Sequence, residues 1–245
     1  MIIIPMAGMS SRFFNAGYKL PKYMLNADGL SLFEHSLMSF KSYFQSEKFL
    51  FIVKDIFNTP SFVREKAISM GIKDFHISIL DNDTRGQAET VAFGIEDFES
   101  NCKEYKGSIT IFNIDTFRPN FEFPDFISSC EGYLEVFRGE GDNWSFAKPE
   151  NEVSNKVIET AEKEPISDLC STGLYYFKSA NVYLMAYKDY LNTPIDKWKN
   201  GEIYIAPLFN MLISKGLTIR YELIERSEVV FCGTPSEYLD FLKTR

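Results

Sequence analysis

Met1-Ile2-Ile3-Ile4-Pro5-Met6-Ala7-Gly8-Met9-Ser10-Ser11-Arg12 opens the chain with a short apolar strand that runs straight into a loop of small residues ending in arginine. Apolar residues at consecutive positions predict a strand covered on both faces, as in a parallel sheet. The loop puts small residues where a backbone can approach an anion, and exposed N–H groups in such a turn attract phosphate. Arg12 can add a two-pronged contact to phosphate oxygens, and Lys22 a mobile point charge. The loop is not a Walker A, because no G-x-x-x-x-G-K-[ST] occurs, and the dinucleotide fingerprint G-x-G-x-x-G is absent too. On these residues alone, a tight turn with surface cations fits as well as a phosphate site.

Outward from that strand the first half alternates. Ser31-Leu32-Phe33-Glu34 has the form of a capping box, and Phe33, Leu37, Phe40 and Phe44 follow at helical spacing. Residues 49–53 form a second apolar run. Thr59-Pro60 predicts a helix start, with Thr59 as N-cap, and Gly71 a stop. Residues 75–80 and 108–114 read as further strands, and between them Ala88, Val91, Ala92 and Ile95 share one helical face. This alternation implies an α/β fold, a doubly wound and mostly parallel sheet with ligands at the carboxyl ends of its strands. After about residue 120 the pattern changes to short strand-like runs at 133–138, 144–147, 156–161 and 173–177. They predict a mixed-sheet region, followed by helices at 180–191 and 203–215, strands at 218–223 and 229–232, and a helix opening at Thr234-Pro235. One domain over residues 1–245 is expected, in two halves that divide near residue 120.

Composition bounds what such a domain can do. With 45% hydrophobic and 16% aromatic residues the chain has ample core, and its net charge of −8 argues against nucleic acid or an anionic membrane as a partner. The N-terminal residues lack the basic leader and cleavage pattern of a signal peptide, and no apolar run is long enough to span a bilayer, so a cytoplasmic location is expected. Cys102, Cys130, Cys170 and Cys232 are widely spaced, without a C-x-x-C, and read as reduced core thiols. His35 and His76 sit near no Ser, Cys or Asp in a triad-like pattern and are read as packing or surface residues.

Asp115 ends the strand at 108–114, and a carboxylate there costs desolvation energy unless something compensates. Mg²⁺ needs few protein ligands beyond one or two carboxylates plus phosphates. A strand-terminal Asp capping the next turn is an equally ordinary explanation. Thr84-Arg85-Gly86-Gln87-Ala88-Glu89-Thr90 reads either as a polar helix N-terminus or as a flat pocket whose Gln87 amide offers donors and an acceptor.

Pro5-Met6-Ala7-Gly8-Met9-Ser10-Ser11-Arg12, followed by Leu20-Pro21-Lys22-Tyr23-Met24-Leu25, resembles the signature of the sugar-phosphate nucleotidyltransferases, a small-residue loop ending in Arg and then Pro-Lys before an apolar pair. The resemblance spans essentially the whole chain and implies a GT-A-like fold. It implies that residues 1–120 bind the nucleotide and residues 121–245 the acceptor. By it, Arg12 and Lys22 are the catalytic cations on the phosphates of a nucleoside triphosphate. Ala7, Gly8, Met9, Ser10 and Ser11 would cradle those phosphates, and Gly86, Gln87 and Ala88 would hold the base, with Gly86 and Ala88 small so that it can lie flat. Asp115 would bind Mg²⁺, the one cofactor expected. Glu162-Lys163 and Ser171-Thr172-Gly173-Leu174-Tyr175-Tyr176-Phe177 are similar to the acceptor segments of the family, as is Gly201-Glu202-Ile203-Tyr204-Ile205-Ala206-Pro207. They imply Lys163, Gly173, Tyr175, Glu202 and Tyr204 around a small phosphorylated metabolite.

Three departures stand out. Ser10 occupies a position where the family usually has a second Gly, Glu164 intervenes before Pro165 in a Glu-Lys-Pro segment, and Phe231 takes the place of a second metal-binding Asp. A second carboxylate comes from elsewhere, with Asp168 and Glu228 as candidates, or the site uses one protein carboxylate and waters; no second ligand is assigned. Within the family the overall run looks most like a cytidylyltransferase of capsule biosynthesis, which implies CMP transfer from CTP to L-glutamine phosphate. A sugar-1-phosphate nucleotidyltransferase using UTP, TTP or CTP is the alternative. A glycosyltransferase of similar fold and a non-catalytic nucleotide-binding regulator are the readings from other classes.

Overall fold

The computed structural model describes residues 1–102 and 104–243. Along the chain run β1 (Ile2–Pro5), α1 (Ser11–Asn15), β2 (Asn26–Ala27), β3 (Leu30–Ser31), α2 (Leu32–Leu37), β4 (Lys48–Val53), α3 (Thr59–Ser69), β5 (Asp74–Ile79), α4 (Gln87–Asn101) and β6 (Ile109–Phe112). The second half carries β7 (Thr116–Phe117), β8 (Gly132–Arg138), β9 (Ser145–Pro149), β10 (Val157–Glu162), β11 (Leu169–Phe177), α5 (Ala180–Leu191), α6 (Leu208–Ser214), β12 (Ile219–Ile224), β13 (Val230–Phe231) and α7 (Pro235–Lys243).

The strands of the first half pair in parallel, in the order β5-β4-β1-β6. The chain therefore leaves β1 toward β4 and β5, then crosses back to lay β6 on the other side of β1. This reversal of strand order opens a crevice at the carboxyl ends of β1 and β6. Beyond β6 the sheet becomes mixed. β11 runs antiparallel to β6, β8 and β9, β12 pairs in parallel with β8, and β9 and β10 form a hairpin. A small antiparallel sheet joins β13 to β7, with Phe231 opposite Thr116.

Alternate residues of the parallel strands go to opposite faces, as the strand period requires. Ile2, Ile4, Phe49, Phe51 and Val53 pack with Phe33 and Leu37 of α2 and Val63 and Ala67 of α3. Ile3, Leu50 and Ile52 face the other way, onto Ala88, Val91, Ala92 and Ile95 of α4, in a cluster that continues to α5 and α6. The doubly wound expectation from the apolar runs is met, including the change of pattern past residue 120.

Local departures have packing reasons. The capping box forms, with the Ser31 N–H donating to Glu34 at 2.8 Å, but α2 ends at Leu37 and gives way to a 3₁₀ turn over Met38–Tyr43. There Phe40 leaves helical geometry to set its ring edge-on against Phe112 and Phe121, at 5.0 and 5.1 Å. Asn58, in a left-handed conformation at φ 56°, precedes α3 in place of the expected Thr59 cap. The Thr59 hydroxyl instead donates to the Ile56 carbonyl at 2.5 Å and meets the Tyr23 hydroxyl at 2.8 Å. Residues 203–207 are not helical, because Ile203 bonds backbone to backbone with the turn before α4. Among the described residues no helix is long and apolar enough to cross a membrane. Cys130, Cys170 and Cys232 are buried free thiols, and Cys102 is exposed.

Candidate active site

Two loops meet in the crevice. After β1 the chain passes through Ala7, Gly8 and Met9 and turns at Ser10, which sits in the left-handed region at φ 51° before α1 begins. A non-glycine residue there costs about 1–2 kcal/mol. Ser10 has a compensation, since its hydroxyl accepts the Lys22 backbone N–H at 3.2 Å. Pro21 then sets up a short 3₁₀ turn over Lys22–Met24, in which the buried Tyr23 anchors the backbone while Lys22 stays half-buried.

After β6 the chain runs Asn113, Ile114, Asp115. The Lys22 ammonium reaches Asp115 Oδ2 at 2.5 Å, with about a fifth of each side chain exposed (23% and 20%). Asp115 is held from behind, its carbonyl accepting the Cys232 N–H at 2.7 Å. Burial, with the negative charges of Glu237 and Asp115 adding to it, pushes the Cys232 thiol up to about 12, which makes it an inert neighbour of the site.

Asn113 and Asp115 line two adjoining cavities. The loop-side cavity, about 740 Å³, is lined by Ala7, Gly8, Met9 and Lys22, by Thr84–Gln87 and by Gly201 and Glu202. Gln87 Nε2 donates to Asn113 Oδ1 at 2.6 Å, which ties the start of α4 to the end of β6. Gly86, at φ 134°, is irreplaceable on steric grounds: a Cβ there would lie 2.6 Å from the Ile203 carbonyl oxygen and 2.7 Å from its nitrogen. The backbones of Arg85 and Ala88 clasp Ile203 through bonds of 2.7 and 3.0 Å. Glu89 braces this turn from below. Its carboxylate accepts from the Arg85 backbone at 2.6 Å and from Arg85 Nε at 2.8 Å, and the Tyr187 hydroxyl donates to it at 3.0 Å. Burial alone would raise the Glu89 pKa, but these bonds hold it below the ordinary glutamate range.

The strand-side cavity, about 590 Å³, has Arg12, Thr116 and Glu237 on one side and Trp144, Ser145, Gly173 and Tyr175 on the other. Gly173 is at φ 90°, and a Cβ on it would strike the Asn113 side chain at 2.3 Å. The Tyr175 hydroxyl lies 3.1 Å from Ser145 Oγ, which also bonds Glu162. Burial pushes the Tyr175 phenol up to about 12, and burial also raises the Glu162 carboxyl above its usual range. Behind this wall lies a buried ion network in which Arg118 Nε donates to Glu135 at 3.0 Å and the Thr172 hydroxyl donates to the same carboxylate at 3.1 Å.

The crevice thus gathers Ala7, Gly8, Met9, Lys22, Gly86, Gln87, Glu202 and Asp115 around one cavity, and Arg12, Gly173, Tyr175 and again Asp115 around the other. It does not gather them all. Ser10 and Ser11 lie behind the loop, Ser10 on the Lys22 backbone and the exposed Ser11 in the first turn of α1. Ala88 is fully buried in the core among α4's neighbours, and Gly86 must be small because Ile203 covers the place of its Cβ. Glu202, expected beside the acceptor segments, lines the loop-side cavity instead, because the Ile203 clasp carries it there. Lys163, left-handed at φ 53°, gives its ammonium to the Tyr204 hydroxyl at 2.6 Å, and neither residue lines the two cavities. Asp168 pairs with Arg138 and Glu228 with Arg118, so neither candidate carboxylate comes to Asp115. Sequence reasoning did not single out Asn113, Ser145 and Glu237, which line the cavities. Of these, the Thr234-x-x-Glu237 capping box alone left a readable signal, and only of a helix start.

No protein-family model matches the chain, and no curated protein sequence does. Among solved structures, the inositol-1-phosphate CTP transferase from T. maritima superposes with a TM-score of 0.73 at 12% identity, over 99% of this chain and 94% of that one. The UDP-glucose pyrophosphorylase from Acinetobacter baumannii gives 0.67 at 15% identity, over 98% and 91%. At such identities the likeness establishes the fold, and that fold is the one nucleotidyltransferases use. The nucleoside-diphosphate-sugar pyrophosphorylase from Vibrio cholerae RC9 is 62% identical, with a TM-score of 0.97 over 99% of this chain and 100% of that one. The chain belongs to this family of nucleotide-sugar pyrophosphorylases and nucleotidyltransferases.

Proposed function

We propose that the protein transfers a nucleoside monophosphate from a nucleoside triphosphate to a sugar 1-phosphate, releasing pyrophosphate. One observation carries this: Asp115 lies on the line shared by the loop-side and strand-side cavities, and the Lys22 ammonium reaches its carboxylate from the loop side at 2.5 Å. A nucleotide held by Ala7–Met9 and Gln87 presents its α-phosphate at that line, and an acceptor beside Gly173 and Tyr175 reaches it from the other side.

The acceptor phosphate attacks the α-phosphorus in line. A P–O bond to the acceptor forms as the bond to the β-phosphate oxygen breaks, and both electrons of that bond leave with pyrophosphate. A phosphate monoester has its second pKa near about 6, so the nucleophile is already dianionic at neutral pH and needs no general base. Lys22 takes up negative charge that moves toward the leaving group, and Arg12, on the strand-side cavity, adds positive charge beside the incoming phosphate, which is the form of catalysis such transfers chiefly use. The oxygen donors at Asp115 suit Mg²⁺, which supplies charge neutralisation at the α-phosphate when bound.

The test is pyrophosphate release with each of four nucleoside triphosphates against sugar 1-phosphates, with L-glutamine phosphate as a further acceptor. Release that requires a sugar 1-phosphate is the expected result, and the preferred nucleotide names the base. Release with CTP and glutamine phosphate alone would replace the sugar by the acceptor that the capsule-type motifs suggest. Turnover of a nucleotide sugar with no triphosphate present would mark a glycosyltransferase.

A further inference from the structure

We propose that Glu237, from the first turn of α7, is the second carboxylate of the divalent-cation site at Asp115, in a chain whose β13 offers no oxygen ligand of its own. The proposal rests on Asp115 as the first carboxylate.

Strand β13 is stitched directly to the metal-side strand, with Phe231 opposite Thr116 and the Cys232 N–H on the Asp115 carbonyl. A carboxylate on residue 231 would stand next to Asp115. Instead the Phe231 ring packs on Trp144 at 4.8 Å and Phe137 at 5.5 Å, with the Arg226 guanidinium 4.9 Å from its centre. That position is committed to an aromatic wall and supplies no oxygen.

Glu237 supplies one from three residues past the turn at Thr234. The Thr234 N–H and hydroxyl donate to Glu237 Oε2 at 2.9 and 3.0 Å, and the Glu237 N–H donates back to Thr234 Oγ1 at 3.2 Å. Among the described residues the hydrogen bonds to this carboxylate fall on Oε2, so the cap fixes its place while loading one oxygen. Gly233 shows where the two acids converge. A Cβ built on it would lie 2.9 Å from Asp115 Oδ2 and 3.7 Å from Glu237 Oε2, so the absent side chain leaves a hollow bordered by both carboxylates. Glu237, Asp115, Thr116 and Arg12 line the same cavity, and Lys22 already shows that a cation seats on Asp115 Oδ2.

Among the described residues no group of three or more His, Cys, Asp or Glu side chains converges on one point. Two carboxylates with phosphate and water oxygens are nevertheless what Mg²⁺ ordinarily takes from a protein. The second acid also explains why Phe231 can be spared for packing.

Mn²⁺ binding followed by electron paramagnetic resonance tests this without turnover. The variants are Asp115→Asn, Glu237→Gln and Gly233→Ala. Glutamine serves a capping box as glutamate does, so Glu237→Gln removes the charge and keeps the start of α7. Thermal unfolding checks that it does. The expected result is Mn²⁺ affinity lowered about tenfold or more in Glu237→Gln, the loss that even an outer partner of a metal ligand carries. Gly233→Ala, which fills the hollow and deletes no oxygen, should weaken binding too. Wild-type affinity in either variant, with binding lost in Asp115→Asn, overturns the role of Glu237 and leaves Asp115 standing. Unchanged affinity in Asp115→Asn removes the metal from Asp115 and the inference with it.

Discussion

The two cavities that meet at Asp115 are built in different ways. The walls of the loop-side cavity are turns at strand ends, each set by nearby sequence: the Ala7–Met9 loop after β1, the Lys22 turn, and Arg85–Gln87 at the head of α4. Its one distant wall, Gly201 and Glu202, is held by the backbone clasp at Ile203. The strand-side cavity is assembled from β9, β11 and the turn into α7, segments that touch only because the mixed sheet folds them together. A short range of sequence can specify a loop hung from a parallel strand. A wall that is one face of a long antiparallel strand needs its register first.

Asp115 belongs to both, and Lys22 is the cation that reaches it from the loop side, so the loss of Lys22 should have the largest effect. Replacing Lys22 by Ala removes the ammonium from the join and is expected to lower kcat by about 10²–10³-fold, the loss typical of a preorganised charge stabiliser. KM for both substrates should change much less than kcat. Steady-state kinetics decides, and a variant at wild-type rate would break the idea that the cavities share one chemical centre.

Gly86→Ala should separate them. Alanine at φ 134° against the Ile203 backbone is expected to cost about 3 kcal/mol of stability, with the Arg85–Ala88 turn displaced. KM for the nucleotide should rise while KM for the acceptor holds. Equal rises in both would mean that the clasp at Ile203 supports the strand-side wall as well.

The same contrast governs what could be read from the sequence. Apolar runs at residues 2–6 and 49–53 gave the parallel sheet because each is covered on both faces, a property local to the run. Asp115 after an apolar strand and Lys22 after a small-residue loop were candidates, but each had an equally ordinary explanation until the family resemblance was added. Lys163, Tyr204 and Glu202 lie in a turn and an irregular strap, where spacing carries no direction. There the resemblance supplied residues but not their places, and Glu202 proved to face the other cavity. Ser145 was invisible because its position depends on β9 pairing with β10 and touching β11, contacts that no local pattern encodes. Gly86 is a third case: its small size was expected under a flat base, and the contact that demands it in the fold is the Ile203 backbone.

The smallest effect concerns the brace under the loop-side cavity. Glu89 is buried, and burial by itself favours its neutral form. The Arg85 side chain, the Arg85 backbone and the Tyr187 hydroxyl all favour the charged form and prevail, so the folded-state pKa lies below the ordinary value of 4.5. A depressed carboxylate pKa contributes stability that is present above the unfolded value and is lost as pH falls through the folded one. Glu89→Gln should therefore cost about 2 kcal/mol near neutral pH, where charge-assisted bonds are exchanged for neutral ones. Below pH 4.5, where the unfolded chain takes up its proton first, the gap between wild type and variant should narrow, and it should close once pH falls through the depressed folded-state pKa. Denaturant unfolding of both proteins from pH 7 down to pH 3 measures this difference. A gap that stays constant over that range would mean the Arg85 turn is held by shape rather than by charge. A gap that closes alongside an unchanged acceptor KM would confine the brace to the loop-side cavity.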